Sequence, residues 1–267
     1  IKGVTFDQDF ERIYPAHQML CHVLGFYGYE ERNAETHEGS FRGIEGVERS
    51  MDDWLAGHEG WRYFEKDAHG KELMNYTGEE RAPRNGADVR LTVNLKLQQI
   101  VESELEAACN RLHPKKASVI MMRPDTGEIL ALANRPTFDP NEPGKAKPEE
   151  RFNNAVAGIY EPGSTFKAVT CAGALNYQFV TPNTQIWCEN GTWRYNGPAL
   201  HDHHPYGMLS ISQIIEHSSN IGAAKLAVQL GEERFYNWIR AFGFGQRTNI
   251  MLPGEVSGIL HPRSKWT

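Results

Sequence analysis

The sequence predicts an α+β protein, and three observations lead to that prediction. The strong β-hairpin signal Pro124-Asp125-Thr126-Gly127 stands between two apolar runs at 118–122 and 128–133. Apolar residues recur at helical spacing after residue 94 and again after residue 164. Strands come first and a block of helices follows, an order typical of an α+β domain and not of βαβ units.

Residues 1–86 are rich in glycine and charge and contain only short segments. We predict a helix over 47–55 that ends at Gly57, and a hairpin turn at 66–71 where Asp and Gly supply the unusual backbone angles. Residues 83–86 have the composition of a linker. We therefore predict one domain over 1–86 and a second over 87–267.

The second region begins with a predicted strand at 89–93, after which Asn94 can cap a helix. The hairpin comes next, followed by a proline-rich loop at 136–148 and a short helix within 151–159. Ser210 is a predicted cap for a helix that runs toward His217. Two more helices are predicted at 221–230 and 233–242, separated by Gly231.

Composition limits the class of protein. A chain of 267 residues is long enough for one or two domains. Its net charge of −6 does not show the excess of positive charge that is typical of nucleic-acid-binding proteins. No apolar run approaches the roughly 18 residues of a membrane helix. Four widely spaced cysteines permit three disulfide pairings, between which spacing cannot choose. We predict that Cys109 and Cys171 are buried helix residues.

A serine and a lysine three residues apart follow the turn Pro162-Gly163. In a helix Ser164 and Lys167 share one face, and a lysine kept neutral can take the proton of a serine hydroxyl. The apolar residues that follow are expected to bury this helix: Ala168, Val169, Ala172, Ala174 and Leu175. Taken alone, the pair also fits a helix-capping serine and an exposed lysine.

A second motif, Ser218-Ser219-Asn220, lies between two apolar helical stretches. Taken alone it fits an ordinary turn, but Ser-x-x-Lys and such a triplet are two of the three motifs, with Lys-Thr-Gly, that form the signature of penicillin-binding proteins and related β-lactamases. The chain resembles a class B penicillin-binding protein, a peptidoglycan D,D-transpeptidase, and 43–57 is most similar to the cell-division branch. Further segments carry the resemblance: 12–15, 22–25, 91–94, 126–131, 136–141, 242–245 and 252–255.

The resemblance implies a transpeptidase domain of penicillin-binding-protein type, with an antiparallel sheet and a helical block, preceded by part of a non-catalytic dimerisation-type domain. It implies that Ser164 is the nucleophile, Lys167 the base with a lowered pKa, Ser218 a proton relay and Asn220 a ligand of the substrate's peptide groups. No cofactor is implied.

The implied partners are peptidoglycan stem peptides, β-lactams, a membrane-embedded glycosyltransferase and other cell-division proteins, and not nucleic acid. The implied location is the bacterial cell membrane, with the catalytic domain on its outer side. Two other functions remain open: a β-lactamase-like hydrolase, and a non-catalytic scaffold or β-lactam sensor. The long N-terminal region argues against the first, and intact Ser164 and Lys167 argue against the second.

The third motif of the family, Lys-Thr-Gly or Lys-Ser-Gly, does not occur in the sequence. We expect it beyond Thr267 and interpret the chain as a fragment that stops before it. By resemblance the backbone N–H of Ser164 supplies one donor of an oxyanion hole, and the strand after the third motif supplies the other.

The run His201-Asp202-His203-His204, with Cys188 and His217, contains residue types that bind metals. Its spacing matches no common zinc pattern, so we predict a solvated or hydrogen-bonded loop and no metal site. In the N-terminal region, ion pairs are predicted for Arg12, Glu45 and Glu48.

Overall fold

The computed structural model describes residues 11–33, 38–63 and 80–266. The chain forms two compact units. The first consists of the residues up to Gly158 together with Asn249–Glu255, and the second consists of Ile159–Thr248 together with the residues from Val256 onward. Each unit contains both helices and antiparallel strand pairs. The α+β class predicted from the sequence is therefore confirmed.

In the first unit, short helices and strands precede a long helix, and a hairpin and further short helices follow it. These elements are, in chain order, α1 Cys21–Leu24, β1 Tyr27–Asn33, β2 Glu38–Gly43, α2 Gly46–Ser50, α3 Asp52–Leu55, β3 Trp61–Arg62, β4 Glu80–Arg81, α4 Leu95–Leu112, β5 Ala117–Met122, β6 Ile129–Arg135, α5 Pro148–Arg151 and α6 Asn154–Ala157.

The strands of the first unit pair as antiparallel neighbours: β1 with β2, β3 with β4, and β5 with β6. The β5–β6 pair is the hairpin that the sequence predicts, with Ile120 opposite Leu132. Its turn is closed by the N–H of Arg123, which donates to the carbonyl of Glu128 at 2.9 Å. Its buried face packs against α4 through Val101, Leu105, Ala131 and Ala133.

Helix α4 begins where the sequence predicts it. The side chain of Asn94 accepts hydrogen bonds from the N–H groups of Lys96 at 3.0 Å and Leu97 at 3.2 Å. These N–H groups have no carbonyl partner inside the helix, so the amide oxygen of Asn94 satisfies them.

Gln98 is a fully buried polar residue on α4. Its side-chain Nε2 donates to the carbonyl of Leu132 at 2.9 Å, and its Oε1 accepts from the N–H of Leu132 at 2.8 Å. One amide side chain thus makes the two hydrogen bonds that a neighbouring strand would make with β6 at this position.

Four local predictions are wrong in part or fall outside the described residues. The predicted strand at 89–93 forms no ladder, although Thr92 Oγ1 donates to the carbonyl of Ile129 at 2.7 Å. The helix predicted over 47–55 is divided between α2 and α3 at Met51, and the one within 151–159 is divided between α5 and α6. The predicted turn at 66–71 lies outside the described residues.

The second unit combines helices with short strands. They are α7 Lys167–Asn176, β7 Gln185–Trp187, β8 Thr192–Arg194, β9 Ala199–His201, β10 Met208–Ser210, α8 Ile211–Glu216, α9 Asn220–Leu230 and α10 Glu232–Ala241. Strand β7 pairs with β10, and β8 pairs with β9, both antiparallel. Side chains of α7, α8 and α9 form one core with residues next to them in the chain, among them Cys188 directly after β7. Its most buried members are Cys188, Ile214, Ile221 and Leu226.

All four cysteines are free thiols; Cys171 is buried, as predicted, and Cys109 is half-buried.

In the N-terminal region Arg12 pairs with Glu48 at 3.0 Å, whereas Glu45 lies 3.6 Å from Arg151. Among the helices of the described ranges, none combines the length and apolar character needed to cross a lipid bilayer.

Candidate active site

Ser164 and Lys167 lie next to each other at the start of α7. A 3₁₀ turn over Gly163–Phe166 leads directly into the helix, and Gly163 has a φ of 57°, which a residue without Cβ adopts at little cost. Lys167 Nζ lies 3.2 Å from Ser164 Oγ. The serine is exposed and the lysine is half-buried.

The rest of α7 anchors this pair in the core of the second unit. Its buried residues are Val169, Thr170, Cys171, Gly173 and Ala174. Ala168, which the sequence placed among the buried residues, is exposed because it lies on the outer face of the first turn. The indole N–H of Trp238 donates to the carbonyl of Val169 at 2.9 Å, which ties α10 to α7.

Ser218 contacts the same lysine from the turn between α8 and α9. Helix α8 begins at a capping box in which the Ser210 side chain and Gln213 each accept a backbone N–H, and it ends at His217. Ser218 follows with a φ of 55°, a left-handed conformation that costs on the order of 1–3 kcal/mol for a residue with a side chain. Its carbonyl oxygen lies 2.5 Å and its hydroxyl oxygen 2.9 Å from Lys167 Nζ.

The three oxygens around Lys167 Nζ differ in what they can do. A carbonyl oxygen only accepts, so the contact with the Ser218 carbonyl holds one N–H of the lysine in both of its charge states. A hydroxyl can accept or donate, so Ser164 Oγ and Ser218 Oγ can each give a proton to a neutral amine or receive one from the ammonium. The arrangement can therefore move a proton between the two serines through Nζ.

The environment also favours the neutral amine. Partial burial lowers the pKa of Lys167 below its ordinary value, because a charged ammonium loses hydration there, while the negative charge of Asp202 and the thiol of Cys171 act in the opposite direction. The net direction is downward, which is the direction that a general base near neutral pH requires.

The amide of Asn220 lies at the start of α9, where its Nδ2 donates to the carbonyl of His201 at 2.7 Å. Asp202 contacts the same segment: Ser219 Oγ donates to its Oδ2 at 2.8 Å. Sequence reasoning placed Asp202 in a loop with no assigned partner. Local spacing holds no signal for this contact, because the carboxylate caps a helix that begins 18 residues later in the chain.

The histidines around Asp202 do not converge. His201, His203 and His204 are exposed, and His217 stacks on Tyr206 with ring centroids 5.2 Å apart. Within the described residues, no group of three or more His, Cys, Asp or Glu side chains is arranged to hold a metal ion.

An α+β fold in which a Ser-x-x-Lys pair meets a Ser-x-Asn triplet is typical of the class of penicillin-recognising proteins with an active-site serine. The chain belongs to the penicillin-binding protein transpeptidase family: the model of the penicillin-binding protein transpeptidase domain matches residues 117–267. The model of the penicillin-binding protein dimerisation domain matches residues 1–91.

Individual relatives agree with this family. The chain is 36% identical over 265 residues to stage V sporulation protein D of Bacillus subtilis (strain 168), a match that covers 98% of this chain and 40% of that protein. It is 30% identical over 268 residues to the peptidoglycan D,D-transpeptidase FtsI of Escherichia coli (strain K12), covering 100% of this chain and 43% of that protein. The chain thus spans about two fifths of the length of both relatives.

Among solved structures, penicillin-binding protein 3 of Mycobacterium tuberculosis in complex with ampicillin is similar to this chain with a TM-score of 0.77 and 28% identity. The match covers 96% of this chain and 51% of that one. The similarity therefore extends through nearly all of the present fold.

Proposed function

We propose that this chain carries the acyl-transfer site of a serine D,D-transpeptidase that cross-links peptidoglycan stem peptides and that β-lactams acylate. The observation that carries the proposal is the contact of Lys167 Nζ with both serine hydroxyls, at 3.2 Å for Ser164 and 2.9 Å for Ser218. The family membership and the name of the FtsI relative support the same reaction.

In the first half-reaction Ser164 Oγ attacks the carbonyl carbon of the penultimate D-Ala, and its proton passes to the neutral amine of Lys167. The bond to the terminal D-Ala nitrogen then breaks, and that nitrogen takes a proton from Lys167 through the hydroxyl of Ser218. The products are an acyl-enzyme on Ser164 and free D-Ala. Lys167 is neutral again and ready for the second half-reaction.

In the second half-reaction an amine of a neighbouring stem peptide attacks the acyl carbon. The amine loses one proton to Lys167 through Ser218, and Ser164 Oγ regains a proton from Lys167 as the ester bond breaks. Two acyl transfers through one nucleophile thus replace a direct exchange of peptide bonds. The Asn220 amide, held by the His201 carbonyl, is the proposed partner of the substrate's peptide groups.

A β-lactam enters the same first step, because its strained amide carbonyl also accepts Ser164 Oγ and its ring nitrogen takes the proton. The nitrogen stays tethered to the acyl group after the ring opens. Ampicillin, which is a β-lactam, is the molecule in complex with the similar penicillin-binding protein 3 of Mycobacterium tuberculosis. That complex supports the proposal that β-lactams acylate the present chain.

The domain assignment is also proposed: a non-catalytic, dimerisation-type region over 1–86 and a transpeptidase region over 87–267. The ranges of the two family models support this division.

We further propose that the enzyme works on the outer side of the bacterial cell membrane, with a membrane-embedded glycosyltransferase and other cell-division proteins as partners. Its substrate lies in the cell wall, which is the argument for that location.

The test is covalent labelling of the protein expressed from its complete gene. Incubation with a penicillin should add one β-lactam mass per chain, and peptide mapping should place it on Ser164. Ser164→Ala should lose the adduct, whereas Ser212→Ala, which removes an exposed hydroxyl from α8, should keep it. Labelling of Ser164→Ala at unchanged stoichiometry would contradict the proposal, and rapid turnover of the adduct would favour a hydrolase.

A further inference from the structure

Asp202 lies just after β9 and receives three hydrogen bonds from one short segment. Its Oδ2 accepts from Ser219 Oγ at 2.8 Å, and its Oδ1 accepts from the backbone N–H groups of Asn220 at 2.5 Å and Ile221 at 3.0 Å. Both carboxylate oxygens are thus engaged. All three donors belong to the residues that directly follow Ser218.

A carboxylate suits this position for two reasons. The first N–H groups of a helix have no carbonyl partner within it, and the aligned peptide dipoles put a partial positive charge at its start. Ser219 adds to the anchor, because its Oγ accepts from the N–H of Gly222 at 2.9 Å while it donates to Asp202. The start of α9 is therefore fixed from outside by Asp202 and from within by Ser219.

This anchor lies one residue away from the proton relay. Ser218 holds its strained φ of 55° between the end of α8 and the fixed start of α9, and from there it directs two oxygens at Lys167. On the other side, the amide of Asn220 is tied to the carbonyl of His201, the neighbour of Asp202. One short piece of chain, residues 201 and 202, thus holds the Asn220 side chain and the backbone that directly follows Ser218.

We propose that Asp202 is a positioning residue of the acyl-transfer site, which holds Ser218 and Asn220 in register with Lys167 and places a negative charge near that lysine. The inference rests on the proposed transpeptidase function. Asp202 does not touch the reacting atoms; it acts through the Ser218-Ser219-Asn220 segment and through its charge.

The charge of Asp202 gives the proposal a second, independent readout. The groups that act on Lys167 are Asp202, which raises its pKa, and the Cys171 thiol, which also raises it, against the larger lowering effect of burial. Removal of the Asp202 charge should therefore lower the pKa of Lys167 further. If the substitution only loosened α9, the pKa of Lys167 would not fall.

The test compares β-lactam acylation rates of wild type and Asp202→Asn across pH, again with the protein from its complete gene. Asp202→Asn should slow acylation by roughly a hundredfold, the effect that a displacement of about 1 Å can have on an oriented reaction. The midpoint of the pH profile should move to lower pH. Ser219→Ala, which deletes a donor but keeps the carboxylate, should also slow acylation and should leave the midpoint near that of wild type.

The matched control is Glu216→Gln, which makes the same charge change on an exposed residue of α8 two positions before Ser218. It should keep both the rate and the midpoint. A folded Asp202→Asn variant with a wild-type rate and midpoint overturns the proposal. If that variant does not fold, an unchanged rate in Ser219→Ala overturns it instead. Failure of wild type itself to label on Ser164 would reject the proposed function, whatever Asp202 does.

Discussion

Ser218 presents two oxygens to Lys167: its carbonyl at 2.5 Å and its hydroxyl at 2.9 Å from Nζ. The two contacts have different chemistry, since the carbonyl can only accept and the hydroxyl can also donate. The carbonyl therefore orients the amine, and the hydroxyl can carry a proton. The two roles can be separated by substitution.

The first prediction concerns the Ser218 hydroxyl. Ser218→Ala keeps the backbone carbonyl and thus the orientation of Lys167, but it removes the proton path to the leaving nitrogen. Acylation by a β-lactam should fall by at least about a hundredfold, the lower range for loss of a proton-transfer group. Stopped-flow or gel-based labelling measures the rate, and thermal unfolding should show a near-native midpoint. A rate equal to that of wild type would exclude the relay.

The second prediction concerns the Lys167 amine. Lys167→Arg keeps a positive charge, but a guanidinium does not deprotonate in a protein and cannot act as the base. Acylation should slow by about three orders of magnitude, within the range attributed to general base catalysis. Lys225→Arg makes the same substitution on α9 and should label normally. Near-normal labelling of a natively folded Lys167→Arg protein would remove the lysine from the mechanism.

The third prediction concerns pH. Only the neutral form of Lys167 can accept the serine proton, and the neutral fraction rises with pH. The acylation rate should therefore rise with pH, with a midpoint below the ordinary lysine value of 10.5, because burial lowers the pKa of Lys167. Rates measured across the neutral and alkaline range in a constant-ionic-strength buffer test this. A pH-independent rate, or a rate that falls as the pH rises, would contradict the assignment.

The fourth prediction concerns the packing of α7 against α10. A Cβ at Gly173 would lie 2.8 Å from Cδ1 and 3.0 Å from Nε1 of Trp238. The indole is held in place by the hydrogen bond that its N–H donates to the carbonyl of Val169. Overpacking of this kind costs about 1–3 kcal/mol, which is at least as much as the roughly 1 kcal/mol that alanine gains over glycine in a helix. Gly173→Ala should therefore lower the free energy of unfolding.

Denaturant unfolding measures this effect. Gly197→Ala is the control, because a Cβ there meets nothing closer than 3.8 Å, and it should leave stability nearly unchanged. A Gly173→Ala protein that is as stable as wild type would mean that Trp238 moves aside at little cost.

Features with a local cause were predictable from the sequence. Asn94 and Ser210 were recognised as caps because a capping side chain acts on N–H groups only two or three residues away. The hairpin at residue 124 and the spacing of Ser164 and Lys167 are local in the same sense. The roles of the two serines required the resemblance to a family, since a Ser-x-x-Lys pair is also common on ordinary helices.

Features that depend on a distant partner were not predictable. The 89–93 segment has the composition of a strand, but whether it joins a ladder depends on the neighbours that the fold provides. Asp202 caps a helix far along the chain, whereas its neighbours in sequence indicated only a solvated or hydrogen-bonded loop. The helix predicted over 47–55 likewise ends early at Met51, where the sequence has no glycine or proline that would indicate a break.

The double hydrogen bond between Gln98 and Leu132 bears on solubility. An uncovered strand edge offers a row of N–H and carbonyl groups to which another chain can add, which is a route to aggregation. At Leu132 the side chain of a helix already occupies both groups of β6, so a foreign strand finds no free pair there. Gln98 of α4 thus prevents the addition of another strand to β6 at Leu132 while the chain is folded.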